Sequence, residues 1–327
     1  MALKNVVVIL CLGSASLLSQ RTQAYETDQY SSWGIELKDG SAPLDQYVQN
    51  LFTKTLRGTP LQDLGPGPEN CLGAALRIHT RLRHRIWWDR EIHMSAVLKK
   101  IEMYPGPEVG SWNFYRNSIY GKRTTWPYYM PLDRTINFAG VYLAVDKISH
   151  FVSQGAKYYE VYLSAIRTGE SETRAMEMAV EWGLAREDGL YGKYSSAVFS
   201  YADLEANWSG FLAILDACHG SDPALKWTDE KGWQYTRPFL ISKYVNARWD
   251  ESFNTSRYAK YRWKSVRPRL LKYCELRNHP SVLKRFAEYQ IRLEPSWNEK
   301  FIRRLESEGK LPLQSSHSLD KLCDETN

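Results

Sequence analysis

The sequence predicts a mostly α protein, a compact multi-helix globular domain with long ordered irregular segments and little strand. Three observations lead there. Apolar residues recur at helical spacing in several stretches, capping residues and glycines punctuate those stretches, and strand-like alternation is scarce. The chain has 327 residues, enough for a core that needs no staples. No internal repeat is visible. We divide the chain into a signal peptide (1–24), a single helical domain (25–311) with a polar block at 136–216, and a polar C-terminal tail (312–327).

The first segment reads as an export signal. Lys4 precedes an apolar run from Val6 to Leu18, which is short for a membrane span, and Thr22-Gln23-Ala24 offers a small residue at the cut. The mature chain then begins at Tyr25, and a periplasmic or secreted location follows. Membrane contact is expected only through an uncleaved signal segment. In a eukaryotic host the sequons at Asn207 and Asn254 would be glycosylation candidates.

Elements follow in order. A first helix is expected at about 43–57, capped by Ser41 and ended by Gly58, with Leu44, Tyr47, Val48, Leu51 and Phe52 on its buried face. Residues 59–68 form a loop. Residues 69–103 read as helical with a break near Trp87-Trp88. Arg77, Arg81, Arg83, Arg85, His79 and His84 lie there, as a solvated face or an anion-binding ridge. Residues 105–131 are read as ordered but irregular, because so many aromatics would otherwise be exposed. Helices are expected at about 136–153 and 156–167. A third starts near Ser171 with Ala175, Met176, Ala179, Val180, Gly183 and Leu184 as its stripe, and a fourth runs to about 216. Short helices end the chain, one opened by a Ser296–Glu299 capping box, and the tail from Pro312 reads as loose.

Composition excludes several classes. A formal charge of +6 is moderate, so no nucleic-acid partner is expected, and anionic envelope polymers suit a basic exported protein better. The 12 Trp and 21 Tyr belong mainly to the core. After removal of Cys11, the four cysteines Cys71, Cys218, Cys274 and Cys323 should form two disulfides. Cys218–Cys274 with Cys71–Cys323 is the preferred pairing. There is no CxxC spacing, P-loop, dinucleotide fingerprint or GxSxG elbow. No cofactor is expected.

Chemistry-bearing residues gather at 136–216. Asp146 and His150 lie four apart on one helix face, with Tyr142 a turn earlier, so the carboxylate can orient the imidazole or share a metal with it. No third ligand at a recognisable spacing accompanies them. Glu187 ends a helix before Asp188-Gly189 and can act as a general acid if apolar walls raise its pKa. Trp182, Tyr191, Tyr194 and Tyr201 could supply those walls and stack on sugars. Ser200, Asp203, Glu205 and Asn207 form the densest polar cluster, with Asp203 or Glu205 as the second carboxylate and Asn207 at the edge of the packing face. The order helix, Glu187, glycine-bearing turn and helix over 171–210 resembles lysozyme-type glycan-cleaving enzymes in architecture. It lacks a Glu-Ser pair followed by a Gly-Leu-Met-Gln-like strand. Trp249-Asp250-Glu251-Ser252 and Asn254 are read as ordinary turn residues.

These readings lead to a cell-wall glycan hydrolase with Glu187 as acid, Asp203 or Glu205 as partner, and Asp146 with His150 as orienting groups. Tyr191, Tyr201, Asn207 and Trp182 would contact substrate. The alternatives are a non-catalytic helical envelope protein that binds a protein or polymer, and a metal-dependent hydrolase using Asp146 and His150.

Overall fold

The computed structural model describes residues 26–89, 97, 99–121, 132–189, 192–219, 221–291 and 294–325, with 85–89 through their backbone alone. The segment read as a signal peptide, with Cys11, therefore lies outside the described residues. The domain is mostly helical, as the sequence predicts.

Helix α1 (Ser41–Arg57) starts after Gly40, ends at Gly58, and buries Leu44, Val48, Leu51 and Phe52. Ser41 is its first residue rather than its cap, and the Ser41 hydroxyl donates to Asp39 instead. Helix α2 (Pro68–Asp89) continues through the expected break at Trp87-Trp88. His79 leaves the expected basic face, because it is buried beside Phe52 and Phe239. Burial holds its pKa down to about 3, so the ring is neutral at physiological pH. Arg77 pairs with Asp63 at 2.6 Å. The side chain of Arg85 lies outside the described residues.

Strand β1 (Met103–Tyr104) starts at Met103, where the sequence reading still had helix, and the segment read as irregular contributes a short helix, α3 (Ser111–Asn117). Trp126 and its neighbours at 122–131 lie outside the described residues.

The largest correction concerns the helix expected at 136–153. Its first half is a hairpin of β2 (Thr135–Phe138) and β3 (Val141–Ala144), which β1 extends to three antiparallel strands. Ala139 and Gly140 both have positive φ, 57° and 80°, the combination a tight primed turn requires. The flanking Ile136, Phe138, Val141, Tyr142 and Leu143 are β-formers, and a nearly continuous apolar run carries no periodicity to separate strand from helix. Tyr142 therefore sits in a strand, and its hydroxyl accepts a hydrogen bond from the Leu37 amide at 2.8 Å.

Helix resumes only at α4 (Asp146–Ser149). One π turn, His150–Gln154, then leads into α5 (Gly155–Arg167). Helix α6 (Glu172–Glu187) begins at a Ser171 cap, just after Gly169 at φ 90°. Strand β4 (Val198–Phe199) leads to α7 (Tyr201–Cys218), capped by the Ser200 hydroxyl. Beyond it come the hairpin β5 (Leu225–Thr228) and β6 (Gly232–Tyr235), then β7 (Arg257–Tyr258), which pairs with β4. Helices α8 (Lys260–Leu270), α9 (Pro280–Ile291), α10 (Trp297–Ser307) and α11 (Leu319–Asp324) follow. Ser296 caps α10 as its capping box predicts.

Helix α7 is the axis of the larger core. It is buried almost all round and packs against α2, α5, α6 and the π turn. Gly155 and Gly210 let the chains cross closely: a Cβ on Gly210 would lie 1.9 Å from the Phe151 carbonyl oxygen. A second core gathers Tyr30, Trp33, Tyr115, Tyr120, Leu270 and Leu322. Most aromatics are core, as expected. The tail is docked rather than loose, because α11 buries Leu319, Leu322 and Cys323.

Two disulfides form, with a different pairing from the expected one: Cys71–Cys218 and Cys274–Cys323. The first joins α2 to the end of α7, two helices in contact. The second ties α11 to the segment just after α8. Pairing follows which helices pack, which cysteine spacing does not reveal. Among the described residues no helix is long and apolar enough to cross a membrane.

Candidate functional site

The polar block converges on a lysine that the sequence reading passed over. Lys147 lies in the first turn of α4 with its side chain fully buried. Its ammonium contacts Asp146 at 3.1 Å, Asp203 at 2.7 Å and Glu251 at 2.6 Å. Burial alone would strip a lysine of its proton. Here the carboxylates of Asp146, Asp203 and Glu251 outweigh burial and raise its pKa, so Lys147 is a fixed cation.

His150 occupies the outer edge of this cluster, with one fifth of its side chain exposed. Its Nε2 lies 3.3 Å from Asp203 Oδ2, and its Nδ1 lies 3.1 Å from Asn207 Oδ1. Asp203 and Asn207 are four apart on α7, and Asp146 and His150 are four apart across the start of the π turn. The Gly155–Gly210 crossing brings those two faces together. A π turn in a helix often marks a functional site. The Asn207 sequon is buried and committed to His150.

Glu187 ends α6 and points inward, 3 % exposed, rather than into solvent. Its Oε1 accepts the Ser200 amide at 2.9 Å, and it makes no ion pair among the described residues. Gly192 is required beside it, since a Cβ there would meet Glu187 Oε1 at 2.5 Å. Burial, then the Asp203 charge, raises the Glu187 pKa well above the usual carboxylate range. Asp203 goes the other way. Burial pushes it up, but His150, the Lys147 charge and hydrogen bonds from Lys147 and Ser200 hold it below its ordinary value.

Two further acids complete the cluster. Glu251 was read as a turn residue, yet it is buried, bonds Lys147, and accepts the Ser200 hydroxyl at 3.2 Å. Burial raises its pKa to about 7 against the pull of Lys147. Glu26, in the lead segment, is buried, and burial together with Glu251 and Asp203 raises its pKa well above normal.

The other expected residues are placed elsewhere. Glu205 faces away from Glu187 and accepts hydrogen bonds from Asn246, Ser296 and Asn298, stitching α7 to the start of α10. Tyr201 is core-packed at 3 % exposure, and its hydroxyl bonds Glu306. Trp182 is half-buried, edge-on to Tyr158 and covered by Arg186. Tyr194 is exposed. Tyr191 lies outside the described residues.

No family model, curated protein or solved structure matches the chain. Function therefore has to be read from the site itself. Asp146, His150 and Asp203 offer one ligand atom each within 4.8 Å of one another, which is the scale of a metal site. The Lys147 ammonium already stands against both aspartates and supplies the cation they need. What remains is two differently held carboxylates: Glu187 is buried with its pKa raised, and Asp203 is paired with Lys147 and held below its ordinary value.

The sequence signal for the missed residue was present. Lys147 sits in Val-Asp-Lys-Ile-Ser, just after the apolar run that ends at Val145. A lysine there is either a strand edge or a buried partner of acids. Glu26 and Glu251 gave no comparable signal, since only the fold brings them near.

Proposed function

We propose that the chain is an extracytoplasmic hydrolase that cleaves glycan by acid–base catalysis, with Glu187 as the acid and Asp203 as the base. One observation carries this reading: Asp203 stands 2.7 Å from the Lys147 ammonium and 3.3 Å from His150, while neighbouring Glu187 makes no ion pair among the described residues. Pairs of carboxylates whose surroundings push their pKa values apart are the usual basis for assigning acid and base. In this scheme Glu187 would protonate the glycosidic oxygen, and Asp203 would take a proton from water or attack the sugar carbon. His150, fixed by Asn207, would steer the Asp203 carboxylate, and Lys147 would keep it ionised. The two disulfides suit an oxidising compartment, where wall polymers are the abundant glycans.

The test is release of reducing ends from purified cell-wall glycan by wild type, Glu187→Gln and Asp203→Asn, with near-UV circular dichroism to confirm folding. General acid catalysis contributes roughly 10²–10⁴-fold, so Glu187→Gln should lose at least about 100-fold. Equal rates for the two proteins would remove Glu187 from catalysis. No release by wild type from any glycan would favour a non-catalytic binding protein, and stoichiometric divalent metal in the purified protein would favour the metal-dependent alternative.

A further inference from the structure

The geometry points to a binding groove for an anionic sugar polymer between α8 and α11, away from the Lys147 cluster. The groove encloses about 680 Å³ and shares no lining residue with that cluster. Lys260, Lys264 and Arg267 on α8 line one wall, at spacings of four and three that place them on one helix face. Lys321 on α11 lines the other. Glu325 is the one carboxylate on the lining, 3.9 Å from Arg267. Among the described residues Lys260, Lys264 and Lys321 have no ion-pair partner. Like charges at this spacing repel, a cost that a bound anion would remove.

Trp263 and Leu271 give the groove an apolar floor. The Trp263 ring is stacked on Tyr258 at 5.6 Å and held edge-on by His317 at 4.6 Å. It is a fixed aromatic surface of the kind that stacks on sugar rings. From Lys260 to Arg267 the helix rises about 10 Å, so the cations would meet several anionic groups along a chain rather than one ion. The Cys274–Cys323 disulfide ties the two walls together, so the groove is formed before a ligand arrives. Beneath it, β7 pairs with β4, the strand that leads directly into Ser200 and α7. A polymer held in the groove is thus anchored to the scaffold of the cluster. The ligand class is a sugar chain bearing carboxylate or phosphate groups.

Calorimetric titration of the full-length oxidised protein tests this. The probes are polygalacturonate oligomers, a glycerol-phosphate sugar polymer, neutral dextran, polyglutamate and anionic phospholipid vesicles. One or both charged sugar polymers should bind, which also tells carboxylate from phosphate, and affinity should fall about tenfold or more from 0.05 to 0.5 M salt as the charges are screened. Replacing the three exposed lysines together, Lys260→Gln, Lys264→Gln and Lys321→Gln, should weaken binding at least tenfold with the fold intact. Trp263→Leu should weaken the sugar polymers more than polyglutamate. Equal binding of dextran, tighter binding of polyglutamate or vesicles than of both sugar polymers, or less than twofold loss in the lysine variant would overturn the assignment. Because binding is read without turnover, an absence of hydrolysis would leave this result standing.

Discussion

Replacing Lys147 with methionine keeps the length and most of the volume of the side chain while removing its charge. Asp146, Asp203 and Glu251, each within 3.1 Å of the ammonium, are then left facing one another without a cation. Breaking a buried ion pair by removing one partner costs about 3–5 kcal/mol, a large fraction of the stability of an ordinary domain. The folded pKa of Lys147 is raised, so its ammonium contribution is fully present below the unfolded lysine pKa and constant from pH 5 to 8. The pH dependence of the variant must come from the carboxylates. At pH 5 they can take protons and relieve their repulsion, so the penalty should shrink by about half or more. Urea unfolding at pH 7.5 and pH 5.0, with disulfides intact, measures both. Adding Glu251→Gln to the methionine variant should restore part of the loss, because it removes one of the stranded charges. A loss below about 1 kcal/mol at pH 7.5, or the same loss at both pH values, would refute the view that Lys147 holds the cluster together.

Three other outcomes are expected. Burial keeps Asp28 protonated up to about pH 6 and Glu251 up to about pH 7, whereas the unfolded chain releases those protons near pH 4. The folded state then binds more protons across that window, so stability should fall as pH rises from about 4.5 to 7; a melting temperature that climbs over this range would contradict the assignment. Gly210→Ala should cost about 1–3 kcal/mol and displace the π turn, lowering both melting temperature and any activity that depends on His150; an unchanged melting temperature would show that the crossing can relax. Peptide mapping under non-reducing conditions should recover Cys71–Cys218 and Cys274–Cys323. Their separations of 147 and 49 residues imply that losing the first destabilises by about 1 kcal/mol more than losing the second, as paired Cys→Ser variants would reveal.

Local rules made much of this molecule legible. Ser171 and Ser296 cap the helices that the sequence places after them, and Gly58 ends the first helix where expected. Those features depend on a few adjacent residues, so sequence carries them. The stretch from Ile136 to Val145 failed for the opposite reason. A continuous apolar run has no period, and what makes it a hairpin is pairing with β1 and the two positive-φ residues at its tip.

The candidate site divides in the same way. Asp146 with His150, and Asp203 with Asn207, could be grouped from helical spacing alone. That those two faces meet depends on the glycine crossing of α5 and α7. Glu205 shows the limit: two residues from Asp203 on the same helix, it points to α10 instead of Glu187. Lys147 was visible as a lysine beside Asp146 at the end of an apolar run, but its partner Glu251 lies 104 residues away. Glu26 and Glu251 had no local signal.

By itself the sequence determined a mostly helical chain, the ends of several helices, a large aromatic core and four cysteines beyond the N-terminal segment, because each follows from local periodicity or composition. Tertiary structure alone decided which cysteines pair, that the tail docks, and that four carboxylates from distant segments, Glu26, Glu187, Asp203 and Glu251, join Asp146 about one buried lysine. The physical reason is that burial and charge–charge coupling are properties of neighbours in space. They settle which acids keep a proton, and no pattern along the chain records them.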